Sequence, residues 1–289
     1  VRVTLKMTSL VLSDGRPTVK FHGRSLTAFY SETFPEGMHR RNRQMAEAGV
    51  ECFMLIVRGG FENDWSTSWF WRDDGVYGDE SDRHDDMTLD IQAAEILKAK
   101  PDAVFMVRWG SDVPKAWADK HPGELQYSRV KGLRREGSYA SRLAAEGRAC
   151  QARAIVRYVE SRPWAGRVVG YLPFGQDEGA TNLSILDSLF DESPAAVREF
   201  RRFLTARYGT DSALQAAWND PSATLAAAPA PCEEEWNDAR HAWMHWPEPN
   251  ATRRYQDYFL MMREMLIFQR QTELAAVKEA SSFAIFAGT

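Results

Sequence analysis

Short, dense apolar runs recur along the chain, separated by stretches where apolar residues return every three or four positions. The runs Leu26–Tyr30, Val50–Val57, Ala103–Arg108, Arg167–Leu172 and Phe283–Ala287 have the length and continuity of strands buried on both faces of a parallel sheet. Helical spacing fills the intervals. Pro35 and Gly37 open a helix carrying Met38, Met45 and Ala46, and Gly49 stops it. Leu89 to Lys100 is amphipathic and ends at Pro101, and Ser141 to Ser161 puts Leu143, Cys150, Ala154 and Tyr158 on one face. Ser193 caps and Pro194 starts a helix bearing Val197, Phe200, Phe203 and Leu204, which ends at Tyr208-Gly209. Helices over Asp211–Trp218 and about Thr252–Ala280 follow. Alternation of strand and helix predicts an α/β fold with a parallel sheet.

Outside this rhythm, residues 1–25 read as a lead-in hairpin turning at Ser13–Pro17. Arg58 to about Asp86 is a long loop holding Trp65, Trp69, Trp71 and Tyr77, and loops of that length inside a domain are functional or disordered. A second irregular loop covers 111–138, and the Ala- and Pro-rich stretch Pro221–Pro231 reads as a surface connection.

The fourth run leads into Pro173-Phe174-Gly175-Gln176-Asp177-Glu178, so its carboxylates sit just past the C-terminal end of a strand. In parallel α/β folds that is where ligands and catalytic groups gather. An acidic surface turn is the plainer explanation of an Asp-Glu pair. Delivery by a buried strand makes Glu178 the leading catalytic candidate.

Composition narrows the rest. Thirty-six basic against 40 acidic residues give a net charge of −4 and no basic field for nucleic acid. No apolar run approaches a membrane span. Cys52, Cys150 and Cys232 are odd in number and far apart, unlike a disulfide framework or zinc cluster. His241 and His245 share a helical face, but no carboxylate completes a ligand set, and no metal or cofactor is expected. The chain begins with Val1 and shows no signal peptide, which leaves the compartment, bacterial cytoplasm or secreted, open. A closed barrel needs three more strand–helix units than the pattern supplies. The chain therefore reads as a (β/α)8 barrel truncated after its fifth strand. It has a 1–25 lead-in, a partial barrel over 26–289, and a helical insertion at about 180–250.

At this point the residues resemble the family 42 glycoside hydrolases, β-galactosidase-like members of the retaining barrel glycosidases. Ala28-Phe29-Tyr30-Ser31-Glu32, Pro35-Glu36 and Met45-Ala46-Glu47-Ala48-Gly49-Val50 look like that family's opening strand and helix. Trp71 with Asp74-Gly75-Val76-Tyr77 is similar to its segment after the second strand. Pro114, Trp117, Pro122 and Glu124 match the loop after the third. Phe200–Leu204, Tyr208-Gly209 and Leu214–Trp218 resemble its helical signature after the fourth.

The resemblance implies retaining hydrolysis of β-linked sugars, with Glu178 as acid/base and a second Glu, after a seventh strand, as nucleophile. Such a pair stands about 5–5.5 Å apart. Asp177 would bind the sugar, as would Arg58 and Arg108 at their strand ends, with Trp69, Trp71 and Trp117 as stacking platforms. Two departures stand out. The family carries Asn where this chain has Asp177, a charge that would raise the acid's pKa. The nucleophile's strand is absent, so the isolated chain is expected to be inactive. The partner implied is a carbohydrate substrate, and the full-length protein is a possible homo-oligomer. Two alternatives accompany this reading: a noncatalytic carbohydrate-binding barrel, and an α/β enzyme with an open sheet.

Overall fold

The structure is a computed structural model that describes residues 8–13, 16–26, 28–30, 37–57, 70–71, 77–78, 88–110, 113–130, 132–173, 190–232, 234–235, 253–282 and 286–287. The chain divides into two compact units. The first comprises Val1–Pro114, Arg148–Ala180 and Glu273–Thr289, and the second Lys115–Gly147 and Thr181–Thr272.

The first unit is built on a five-stranded sheet of β4 (Phe29–Tyr30), β5 (Cys52–Val57), β6 (Val104–Trp109), β9 (Val168–Pro173) and β10 (Phe286–Ala287). Every neighbouring pair is parallel, and the strands lie side by side in chain order. A doubly wound sheet reverses its strand order at a switch point, and this one does not. The near-continuous apolar sequences CFMLIV and VVGYLP follow from cover on both faces.

The two faces are covered differently. Phe53, Leu55, Val57, Phe105, Val107, Trp109, Val168 and Tyr171 pack against helices. The helical side chains are Leu89, Ala93 and Ile96 of α2 (Leu89–Ala99), Ala149 to Val159 of α4 (Arg142–Glu160), and Ala276 and Val277 of α7 (Arg253–Ala280). The opposite face, with Cys52, Val104, Met106, Val169 and Leu172, receives Phe21 and Leu26 instead. Those two come from an antiparallel meander of β1 (Thr8–Ser13), β2 (Arg16–Phe21) and β3 (Arg24–Leu26). Leu26, expected to open the first core strand, thus ends the meander. The core strand pairs with β5 only at Phe29 and Tyr30.

Between β4 and β5 runs α1 (Met38–Glu47), closed by Gly49 at φ 96, a left-handed conformation that costs glycine nothing. Thr88 caps α2 by accepting from the Ile91 amide at 3.3 Å. Gln92 of the same helix accepts from Ile56 N–H and donates to its C=O, both at 2.9 Å, on the edge of β5 that β4 is too short to cover.

The second unit holds α3 (Lys115–Lys120), a hairpin of β7 (Leu125–Ser128) and β8 (Gly132–Gly137), α5 (Pro194–Tyr208) and α6 (Asp211–Trp218). It also takes the first turn of α4 and most of α7. Phe200, Phe203, Leu204, Leu214, Tyr258, Met261, Met262 and Met265 form its core. The stretch 221–231 is irregular, but Ala223, Ala228 and Ala230 are buried in that core rather than exposed. Their single methyl groups let coil lie directly against helices.

Candidate active site

In the first unit, β5, β6 and β9 end level, with Val57 beside Trp109 and Trp109 beside Pro173. The level comes from a bulge. Phe105 pairs with Val168 but Met106 pairs with Gly170, so Val169 is an extra residue in β9. Without it, strict alternation would send Leu172 to the helical side. With it, Tyr171 joins Val107 under the helices and Leu172 lies beside Arg108 on the other face.

Arg108 is half-buried on that helix-free face, in register with Ile56 and Leu172. Burial pulls its pKa below the ordinary guanidinium value, yet an arginine so placed stays charged at neutral pH. It can bind an anion or a sugar hydroxyl, but it cannot serve as a proton donor. Asp177, Glu178, Arg58 and Trp69 lie outside the described residues. So do His241 and His245.

Trp71 is buried, and its ring stacks on Tyr77 with centroids 5.8 Å apart and planes 29° apart. Tyr77 is the ring that reaches solvent, 38% exposed. Burial and the neighbouring Cys150 thiol push its hydroxyl up to about 12. In the second unit, Trp117 is half-buried and tilts against His121 at 4.9 Å.

Three buried groups carry no obvious sequence signal. Trp109 and Tyr171 meet edge to face at 6.3 Å, and the indole N–H and phenol O–H have no hydrogen-bond partner among the described residues. Burial raises the Tyr171 pKa well above its ordinary value. Asp191, in the second unit, is buried and its pKa is raised by that burial. Its carboxylate accepts from Ser138 Oγ at 2.6 Å, Ser193 N at 2.9 Å and Tyr127 N at 3.2 Å, which ties the β7–β8 hairpin to the start of α5.

Asp257, fully buried, accepts from Tyr208 Oη at 2.7 Å and Trp218 Nε1 at 2.9 Å. Arg207 and Arg253 approach its other oxygen at 3.2 and 3.4 Å. Tyr208 and Trp218 belong to the helical motif that carried the family resemblance, so that motif has a structural cause: both residues anchor α5 and α6 on one buried carboxylate. The spacing Arg253–Asp257, one helical turn, was the available hint.

No protein-family model and no curated protein matches the sequence. Solved structures do. A β-galactosidase from the Antarctic haloarchaeon Halorubrum lacusprofundi is 17% identical with a TM-score of 0.59, over 91% of this chain and 36% of that one. A β-galactosidase from the psychrophilic Marinomonas ef1 is 14% identical with a TM-score of 0.58, over the same shares. The catalytic domain of a β-amylase from Paenibacillus polymyxa is 11% identical with a TM-score of 0.66, over 91% of this chain and 66% of that one. The chain spans about a third of the length of those galactosidases. Identities this low speak to fold alone, and the resemblance read from the motifs has its counterpart there: over nine-tenths of its length this chain is folded like glycosidases that include β-galactosidases.

Proposed function

We propose that the chain is part of a retaining glycoside hydrolase acting on β-linked, galactoside-type sugars, and that its sheet is five-eighths of a (β/α)8 barrel. The observation that carries this is the sheet itself: five parallel strands in chain order, with helices on one face only among the described residues. That is how a barrel wall is wound, and in the sequence Asp177-Glu178 follows shortly after Pro173, the end of the fourth strand.

Glu178 acts as acid/base. It protonates the glycosidic oxygen as the bond to the sugar breaks, then takes a proton from the water that releases the glycosyl-enzyme. Asp177 beside it disfavours a second negative charge and so keeps the acid protonated towards neutral pH. Arg108, near the end of β6, and Arg58, which follows β5 in the sequence, bind sugar hydroxyls, and Trp69 lines the approach. Trp71, buried beneath Tyr77, is too enclosed to stack on a sugar. The nucleophile is assigned to sequence outside these 289 residues.

Stereochemistry tests the retaining mechanism. In the complete polypeptide, NMR of an aryl β-galactoside digest should show the β-anomer of galactose first, with the α-anomer appearing only by mutarotation. Initial α-anomer would rule out double displacement. A second reading draws on Asp177 standing where the family has Asn: a carbohydrate-binding barrel without chemistry. Calorimetric binding of a galactoside with no turnover would select it.

A further inference from the structure

On the face of the sheet that meets no helix among the described residues, an apolar cluster is covered by the chain's own N-terminal meander. Cys52 and Val104 are the first residues of β5 and β6, and both are buried with Val169, Phe21 and Leu26 in one cluster. Val19 and Met54, partly buried, pack against it. Arg24, at the start of β3, reaches the same end of the sheet: it donates to Asp102 at 3.2 Å and lies 3.8 Å from Glu51, the residues leading into β6 and β5. At the far edge of the sheet, β1 runs close to β10.

A closed barrel fills its interior with layers of side chains contributed by alternate strands from all round the ring. The meander is a three-stranded sheet of its own, bound to the five-stranded sheet through the Phe21 and Leu26 side chains and Arg24 rather than through strand pairing among the described residues. We infer that the β1–β3 meander is the floor of the helix-free face, a strap tied by Arg24 that supplies Phe21 and Leu26 to the lowest layer of the sheet and opens as a unit. Arg24 holds it at the strand ends opposite those that carry Arg108. The inference does not depend on the activity proposed above.

Cys52 reports on the strap. It is 1% exposed, and burial with the charge of Glu51 pushes its thiol up to about 12, so it reacts only when uncovered. Cys232, also 1% exposed, lies in the other unit and serves as the internal control. The experiment is maleimide labelling under native conditions, followed by peptide mapping of each cysteine. Phe21→Ala should raise the Cys52 labelling rate at least ~10-fold and leave Cys232 unchanged. Arg24→Ala, a surface change that leaves the core intact, should move Cys52 in the same direction by a smaller factor. Equal acceleration of both cysteines by either variant would overturn the inference, because opening would then be global. Unchanged Cys52 labelling in Arg24→Ala would overturn the tie that Arg24 provides.

Discussion

At the scale of single residues, the best-placed charges serve architecture. Glu199 on α5 is 6% exposed at its side chain and takes two hydrogen bonds from Arg142, at 2.9 and 3.2 Å, and one from Arg202 at 2.6 Å. Burial alone would raise its pKa, but the two guanidiniums outweigh that and hold it below the ordinary 4.5. A lowered folded-state pKa means stabilisation that is complete above the ordinary value and disappears as pH falls through the folded one. Glu199→Gln should therefore cost about 2–3 kcal/mol at pH 7, read from urea midpoints, and the gap from wild type should narrow as pH falls below the ordinary 4.5. A gap that stayed constant as pH fell below 4.5 would mean that packing, not charge, explains the loss. Asp191 has the opposite sign, since burial raises its pKa and its contribution is lost as pH rises. Taking the difference between variant and wild type removes it.

At the scale of elements, β5 shows how a helix can stand in for a strand. With β4 paired only at its first two positions, Ile56 would leave its N–H and C=O open, and the Gln92 amide closes both. Gln92→Leu keeps the bulk but removes donor and acceptor, which should cost about 1–3 kcal/mol. Amide exchange at Ile56 should speed up well beyond that at Leu55. Unchanged protection of Ile56 would contradict the role of Gln92.

Most elements were legible because their apolar periods are long and clean. The helices over 89–99, 142–160, 194–208, 211–218 and 253–280 fall within a residue or two of their sequence readings, as do β5, β6 and β9. Four things were hidden. The helix α3 (Lys115–Lys120) lies in the 111–138 stretch read as irregular loop, because six residues are too few to show a helical period. The β7–β8 hairpin is hidden in the same stretch, because β7 is short, β8 carries Arg134 and Arg135, and the turn at Gly132, φ 76, carries a weak local signal. The lead-in proved three-stranded, since a three-residue strand such as Arg24–Leu26 has too few positions to show alternation. The bulge at Val169 is invisible in VVGYLP, where every position is apolar, glycine or proline. For the candidate site, sequence pattern located the strand ends and Arg108. Hydrogen-bond partners such as Asp191 and Asp257 come from segments tens of residues apart, and no local pattern encodes them.

At the scale of the molecule, the winding order of the sheet, its one-sided helical cover and its likeness to solved glycosidases agree. An open doubly wound sheet would place helices on both faces, and among the described residues the second face meets only the meander. The proposed activity rests on the role assigned to Glu178, and one variant tests it. In the complete polypeptide, Glu178→Gln keeps the shape of the side chain but removes the proton donor. Hydrolysis of an alkyl β-galactoside should fall by about 10²–10⁴-fold. The dinitrophenyl galactoside should lose much less in its first step, since its leaving group departs without protonation. Its glycosyl-enzyme should accumulate, and added azide should restore turnover by forming β-galactosyl azide. Unchanged hydrolysis of both substrates would contradict the assignment and pass the acid/base role to Asp177.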